Sequence, residues 1–315
     1  MSVERAAGYA DYSDAGLNKL IPILWAAQAR EKLNAQLFLP EITNANVIGA
    51  SDVKAMGDKV IVPTIPDVPV HDYKKGELFV ADYLESPAIE MTVDKAKRFN
   101  FAVDEIDLKQ MKIKDWVSKW SNQANFNIKK QVETEVLAAI YADVDAANTG
   151  IAAGKISGDL NLGATGAAIP LTKTNVISKM LQCSQVLGEQ NVPLDDNWWM
   201  LIPNAMATIL KDSDIKNASM TGDDASVLRN KGLLGRIDRW NVFVTNLLNI
   251  DAGTDDYHIL FGHRDAIWFV TQYTKVKMYE PEGSFSQAMK GLNVYGYGVI
   301  QPAAIGQMVA SISLT

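Results

Sequence analysis

Residues 113–148 read IKDWVSKWSNQANFNIKKQVETEVLAAIYADVDAAN, with no proline and no glycine. Nothing else in the chain constrains the fold as tightly. Ile113, Val117, Trp120, Ala124, Ile128, Val132, Val136, Ile140 and Val144 recur in steps of three and four. That spacing predicts one helix with a single continuous apolar face. Asp107 and Asp115 lie near its start, where negative charge is favoured. Thr149-Gly150 supplies the stop, because glycine tolerates a left-handed cap. At 1.5 Å per residue the helix is roughly 54 Å long, whereas globular helices average about 11–12 residues. Such a helix is a beam on which other elements lie. Alone, it is as compatible with a long core helix of an α/β enzyme as with any other architecture.

The 315 residues leave room for two domains or one elaborate one. A hydrophobic fraction of 48% and a charged fraction of 21% are those of a folded protein. The net charge of −7, with no basic stripe, argues against a protein that grips nucleic acid. Cys183, the one cysteine, rules out an intrachain disulfide framework and a cysteine-rich metal site. Residues 1–16 have neither a basic segment nor an apolar one, so no signal peptide is expected. The apolar run at 20–27 falls well short of the roughly 20 residues that span a membrane. The expectation is a soluble, non-secreted protein.

In chain order, residues 1–16 predict a loose arm. Leu17, Ile21, Leu24, Gln28, Leu33 and Leu37 predict an amphipathic helix interrupted early by Pro22, packed on its own core or on a neighbour. GDKVIVPTIP predicts a strand at 59–63 that ends on a proline. A polar, charged segment follows, with turn chemistry at Lys75-Gly76. Then AIEMTVDKAKRFNFAVDEID alternates strictly: Ile89, Met91, Val93, Phe99, Phe101 and Val103 against Glu90, Thr92, Asp94, Arg98 and Asn100. The alternation lasts about 15 residues, where a strand usually has about 5–6. With 59–63 as partner and 64–86 as tip, it predicts a long projecting hairpin. Isolated hairpins are marginal in water, so this one needs a surface to lie on.

After the long helix, 150–171 is a Gly- and Ala-rich connector. Its GIAAGKIS is one residue short of a phosphate loop and has Ile156 where magnesium would need Ser or Thr. From 171 the pattern alternates α and β. Thr174 is expected to cap a helix to about Leu187, with Val176, Met180, Cys183 and Leu187 on its buried face. WWMLIP predicts a buried strand, and PNAMATIL a helix with Pro203 in its first turn. A loop is expected at 211–232, strands near 236–238, 241–245, 257–261 and 274–279, and a helical turn at 264–269. The closing KGLNVYGYGVIQPAAIGQMVASISL predicts two strands that return beside the long helix.

Catalytic signals are sparse. There is no G-x-S-x-G, no G-x-G-x-x-G after a strand, no H-E-x-x-H and no calcium loop. His258 and His263, with Asp255, Asp256 and Asp265, match no established metal spacing. They read as polar residues at strand ends. The acid pairs Asp195-Asp196, Asp223-Asp224 and Asp255-Asp256 fall in predicted loops. An enzyme with a pocket in 171–271 is an alternative only by default, and no cofactor or metal is expected.

The order of these pieces resembles the major capsid protein of tailed double-stranded DNA bacteriophages, with the HK97 fold. The pieces are the arm, the hairpin (GDKVIVPTIP, DYKKGE, AIEMTVDKAKRFNFAVDEID), the helix end FNIKKQVETEVLAAIYADVDAAN, WWMLIPNAMATIL, GRIDRWNVFVTNLL, ILFGHRDAIWFVTQ, and residues 291–296 leading into 299–303. The resemblance spans nearly the whole chain and rests on order, since no single motif is diagnostic. Encapsulin shells resemble the fold too, and stand as an alternative.

The resemblance implies an α+β fold with a spine helix at 113–148. It implies an N-terminal arm (1–56), an extended hairpin (57–92), a peripheral domain (93–170 with 272–315) and an axial α/β domain (171–271). It implies a non-enzymatic protein that assembles with itself, as pentamers and hexamers, into an icosahedral virion shell around the genome. Assembly would take place in the host cytoplasm. Scaffolding, portal and decoration proteins are the implied partners, DNA is touched only weakly and nonspecifically, and no membrane is involved. At the hairpin tip, the mixed charges Asp72, Lys74, Lys75, Glu77, Asp82 and Glu85 are the candidate intersubunit contacts.

Overall fold

The computed structural model describes residues 34–44, 59–63, 66, 68–76, 81–84, 88–106, 116–213 and 233–312. The expected arm (1–16), most of the helix expected over 17–37, and most of the loop expected at 211–232 lie outside these residues. Residues 34–38 are not helical; a one-turn helix, α1 (Leu39–Ile42), follows them.

The long helix, α2, runs Trp116–Ile140. Its 25 residues make a rod of about 37 Å. Ile128, Val132, Val136 and Ile140 are buried as the spacing predicts, whereas Trp120, on the same expected face, is part-exposed against the Phe101 ring. Side chains of this size contribute about 1.5–3 kcal/mol each when fully buried. The α-helix stops earlier than expected. Two 3-10 turns, Tyr141–Asp143 and Ala146–Asn148, carry the chain on to Asn148. Short polar side chains cause this by competing for the backbone. The Asp145 carboxylate accepts from Ala147 N at 2.8 Å. Asn148 is fully buried, and its Nδ2 donates to the carbonyls of Ala303 and Ile305, 2.8 Å each.

β1 (Lys59–Pro63) and β2 (Ala88–Thr92) pair antiparallel, with Lys59 opposite Thr92 and Pro63 opposite Ala88, as the expected hairpin requires. The long alternating stretch is divided, however. β2 ends at Thr92, and β3 (Lys95–Asp104) joins a different sheet. That sheet is antiparallel, in the order β3, β10 (Ser286–Val299), β9 (Ile267–Tyr279), and α2 packs against it. The alternation survives the change of partner because both sheets bury the same parity of side chain, Met91 and Val93 before the break and Val103 after it.

The third sheet has six strands: β4 (Ile169–Leu171), β11 (Ile305–Ile312), β8 (Tyr257–His263), β5 (Trp198–Ile202), β7 (Trp240–Val244) and β6 (Leu233–Ile237), in that spatial order. α3 (Val176–Glu189) and α4 (Asn204–Lys211) supply much of its apolar cover. Asn175, and not Thr174, precedes α3; its amide bonds Thr172 N and Pro170 O, 2.8 Å each, and caps nothing. Of the two strands expected to return beside the long helix, β10 does so. β11 instead enters the six-stranded sheet between β4 and β8, although 272–315 was expected to belong with the long helix. Its near-unbroken burial is that of an interior strand and differs from the alternation of β3.

The Gly-rich connector closes on a carboxylate. Gly154 has φ +103°, and Glu189 Oε2 accepts from Ile156 N (2.8 Å), Ser157 N (3.0 Å) and Ser157 Oγ (3.2 Å). Where a phosphate loop would aim backbone N–H groups at a phosphate, this loop satisfies them with its own chain. Desolvation acts to raise the Glu189 carboxyl, but the hydrogen bonds from Ser157, Ile156 and Gln185 outweigh it and lower the carboxyl to about 2.

Two outcomes follow. Ile140→Asp places an unpaired charge at a fully buried site and costs several kcal/mol; the variant is recovered insoluble or unfolded, and an unchanged melting temperature would refute the assignment of this face. For Glu189, a lowered carboxyl stabilises the fold above its unfolded value and loses that contribution as pH falls through the folded one. Glu189→Gln therefore melts below the parent at pH 7, and the gap closes as pH is lowered from about 4.5 toward 2. A gap independent of pH would show that packing, not this charge, holds the loop.

Candidate intersubunit surface

The hairpin's root is fixed by close packing. Met91 and Val93 form a small apolar cluster with Val270 and Val294, beside Trp268. The chain crosses β10 at Gly296, where a Cβ would lie 2.8 Å from the Thr92 carbonyl oxygen and 3.0 Å from the Val93 Cα. Only glycine leaves room for that crossing. Just beyond it, Glu135 of α2 takes Lys95 (3.1 Å) and Lys97 (2.5 Å). Lys95 also donates to Tyr297 Oη at 2.7 Å. Burial works against the Glu135 charge, but the two lysines prevail and hold its carboxyl below the usual range.

Beyond this root, residues 68–76 and 81–84 have no regular strand and are exposed throughout. Asp72, Lys74, Lys75 and Asp82 lie there in solvent, and Glu77 and Glu85 fall outside the described residues. The expected turn is present at Lys75-Gly76, with φ +93° at Gly76. His71 Nε2 meets Asp82 Oδ2 at 2.8 Å and ties the two limbs together. The limbs also carry apolar groups in water: Val70 is 94% and Tyr83 96% exposed, with Val68 and Tyr73 also outside any core. The sequence reading treats this segment as polar and charged, and misses them. They are scattered singly among charges, so no periodicity marks them.

A second surface is assembled by strand register. Pairing aligns Arg98, Leu292 and Lys275 in one row, and Asn100, Lys290 and Lys277 in the next. Together they line a groove of about 380 Å³ floored by Gly291, over which the Phe99 ring packs. Among its described lining residues there are four cations and no carboxylate. Lys290 Nζ sits 4.6 Å from the Tyr279 ring centre, and Tyr279 Oη donates to Asn100 Oδ1 at 3.1 Å. Sequence reasoning does not find this patch, because its cations come from three strands that only the register brings together.

The residues weighed for chemistry are held in local contacts. His258 Nε2 bonds Asp251 Oδ1 (2.9 Å), its Nδ1 bonds Gln307 (2.5 Å), and Tyr141 packs on its ring. His263 Nε2 bonds Asp195 Oδ1 (2.9 Å), and its Nδ1 accepts from Asp265 N (3.2 Å). Asp196 pairs with Arg236 at 2.5 Å. Cys183 is fully buried, and burial pushes its thiol well above the usual range. Among the described residues, no group of three or more His, Cys, Asp or Glu side chains is placed to hold a metal. No described helix is long and apolar enough to cross a membrane.

Comparison with known proteins bears on the same architecture. A family model described as phage capsid protein matches residues 87–307. No curated protein matches the chain. Among solved structures, one from Mycobacterium phage Che8 is 22% identical, covers 92% of this chain and 97% of its own, and superposes with a TM-score of 0.69. The capsid of cyanophage P-SCSP1u is 14% identical, with coverage of 97% and 98% and a TM-score of 0.67. The capsid of Ralstonia phage GP4 is 12% identical, covers 99% of each chain and has a TM-score of 0.58.

Proposed function

From the premise that the chain belongs to the phage capsid protein family, we propose that it builds an icosahedral shell of pentamers and hexamers around a double-stranded DNA genome. Its fold is the α+β, HK97-like fold of phage capsids, and it is a structural, shell-forming protein of the virion. Its role is mechanical and not enzymatic. Assembly takes place in the host cytoplasm, with a scaffolding protein, a portal and a decoration protein as further partners, and DNA is met only by weak, nonspecific contact. Rings of heterologous contacts let one chain close such a shell. The encapsulin alternative is not better supported, since the family match and the structural neighbours named above are phage proteins. We divide the chain into an arm (1–56), the hairpin (57–92), a peripheral unit on α2 (93–170 with 272–304) and an axial unit (171–271) completed by β11.

The observation that carries the assembly reading is the hairpin. A segment that leaves Val70 and Tyr83 almost fully in water buries neither side chain on the described body of its own subunit. A neighbour supplies the surface that covers them. Between 67 and 85 the chain has Asp67, Asp72, Glu77, Asp82 and Glu85 against Lys74 and Lys75, an acidic excess. The groove of Arg98, Lys275, Lys277 and Lys290 is its complement in sign and is present on every copy. In this arrangement Asp72, Lys74, Lys75, Glu77, Asp82 and Glu85 face the neighbouring subunit, charge pairing sets the register, and the apolar groups add area.

Charge exchange tests this contact. Asp72→Lys with Glu77→Lys leaves the circular dichroism and melting of the subunit unchanged and removes assembled particles from a sucrose gradient. Adding Lys277→Glu and Lys290→Glu restores them. A double variant that assembles like the parent would exclude the tip as a contact. Failure of the second pair to rescue would exclude this groove as its partner.

A further inference from the structure

We infer that residues 38–44 form a strap, held at one end by Glu133 and at the other by Arg264, that sets the angle between α2 and the six-stranded sheet. Glu133 lies on α2 and is 1% exposed. Its partners are backbone groups: Phe38 N bonds both carboxylate oxygens (3.1 and 3.0 Å), and Leu39 N bonds Oε2 (3.1 Å). These are N–H groups at the start of α1, which has no side-chain cap of its own. At the other end the Arg264 guanidinium donates to the carbonyls of Thr43 (3.1 Å) and Pro40 (3.3 Å). Asn44 then bonds Ile267 O through its N–H (2.9 Å) and Asp265 Oδ1 through its side chain (2.6 Å).

The two clamps sit on different parts of the molecule. Glu133 belongs to the long helix. Arg264 lies in the turn between β8 and β9, where the six-stranded sheet hands the chain to the three-stranded one. Between the clamps the strap is packed in: Ile42 is fully buried, and the Phe38 ring lies 5.1 Å from that of Phe243 in β7. Upstream, Asn34 Oδ1 accepts from Gln123 Nε2 at 3.1 Å, so residues 34–38 run along α2 in the helix's own direction. Burial raises the Glu133 carboxyl, and the two backbone amides offset this only in part. A buried charge held at such a cost is poorly explained by stability, for which an apolar side chain would serve better. It is well explained by position, because a carboxylate has the acceptors to hold two adjacent N–H groups in one place.

The Glu133 bonds tie the strap to α2 and the Arg264 bonds tie it to the turn between β8 and β9, so loosening either end relaxes a tie between helix and sheet without unpairing a strand of the six-stranded sheet. On the shell reading, the angle between helix and sheet is what the subunit presents to its neighbours. The strap itself is tested without assembly. Nitroxide labels at Gln131→Cys and Thr208→Cys, both exposed, report the distance from α2 to α4, and buried Cys183 takes no label. Electron–electron double resonance on the full-length unassembled chain gives a narrow distance distribution for the parent. The distribution broadens in Glu133→Ala and Arg264→Ala, whereas Glu133→Gln stays narrow because one amide oxygen at the Oε2 position still serves both N–H groups. Arg264→Lys keeps the charge but loses the two-pronged donor, and broadens to an intermediate width. It is the variant to rely on if the alanine variants do not fold. Distributions as narrow as the parent's in folded Arg264→Lys, or in folded alanine variants, would overturn the strap.

Discussion

Burial of one face of α2 is the constraint on which the rest of the subunit depends. Ile128, Val132, Val136 and Ile140 join a core that also contains β5, β8, β11, α3 and α4. The polar residues of the same helix are then held at fixed heights along it. Glu133 receives the strap, and Glu135 receives the two lysines at the hairpin root. Just past the helix end, Asn148 receives the start of β11. Each polar contact is worth little compared with the apolar face. Their effect is to fix direction: where the N-terminal chain leaves the helix, where the hairpin leaves the sheet, and where the last strand enters.

The body so fixed buries a large core, though Ile156 and Phe285 among others stay exposed, and it guards a sheet edge with charge. β9, an edge of the three-stranded sheet, carries exposed Lys275 and Lys277, and charged side chains on an edge discourage indiscriminate pairing. The hairpin is managed in the opposite way. Its root is locked by Gly296 and the Glu135 lysines, while its limbs leave Val70, Tyr73 and Tyr83 exposed among charges. On the proposed reading, the unburied extension gains its burial from another copy, which couples its order to assembly.

Much of this was legible in the sequence, and the failures have physical reasons. The apolar spacing of α2 and the alternation from Ile89 to Val103 were strong signals because each obeys one period over many residues. The break between β2 and β3 was invisible, since a strand that changes partners without changing parity leaves its pattern intact. The early end of α2 was missed because Asp145 turns its side chain on its own backbone at Ala147 N, and Asn148 bonds carbonyls at the start of β11 that only the folded topology brings near. The placement of β11 itself needed the topology, because an apolar strand reads the same in either sheet. Of the candidate contacts, the charges at 72, 74, 75 and 82 lie in solvent in the single subunit. The basic groove and the exposed aromatics were not foreseen, one because it is built by register and the other because its members are isolated.

The central claim is that the hairpin is unsupported in the single subunit and covered in the shell. Amide hydrogen exchange, measured on residues 68–76 and 81–84 in the unassembled chain and again in purified particles, tests it directly. The account predicts exchange near the unstructured rate in the subunit, slowing by at least about tenfold on assembly, while the amides of β5 and β8 are protected in both. Equal protection of the hairpin in the two states, whether high or low, would contradict it.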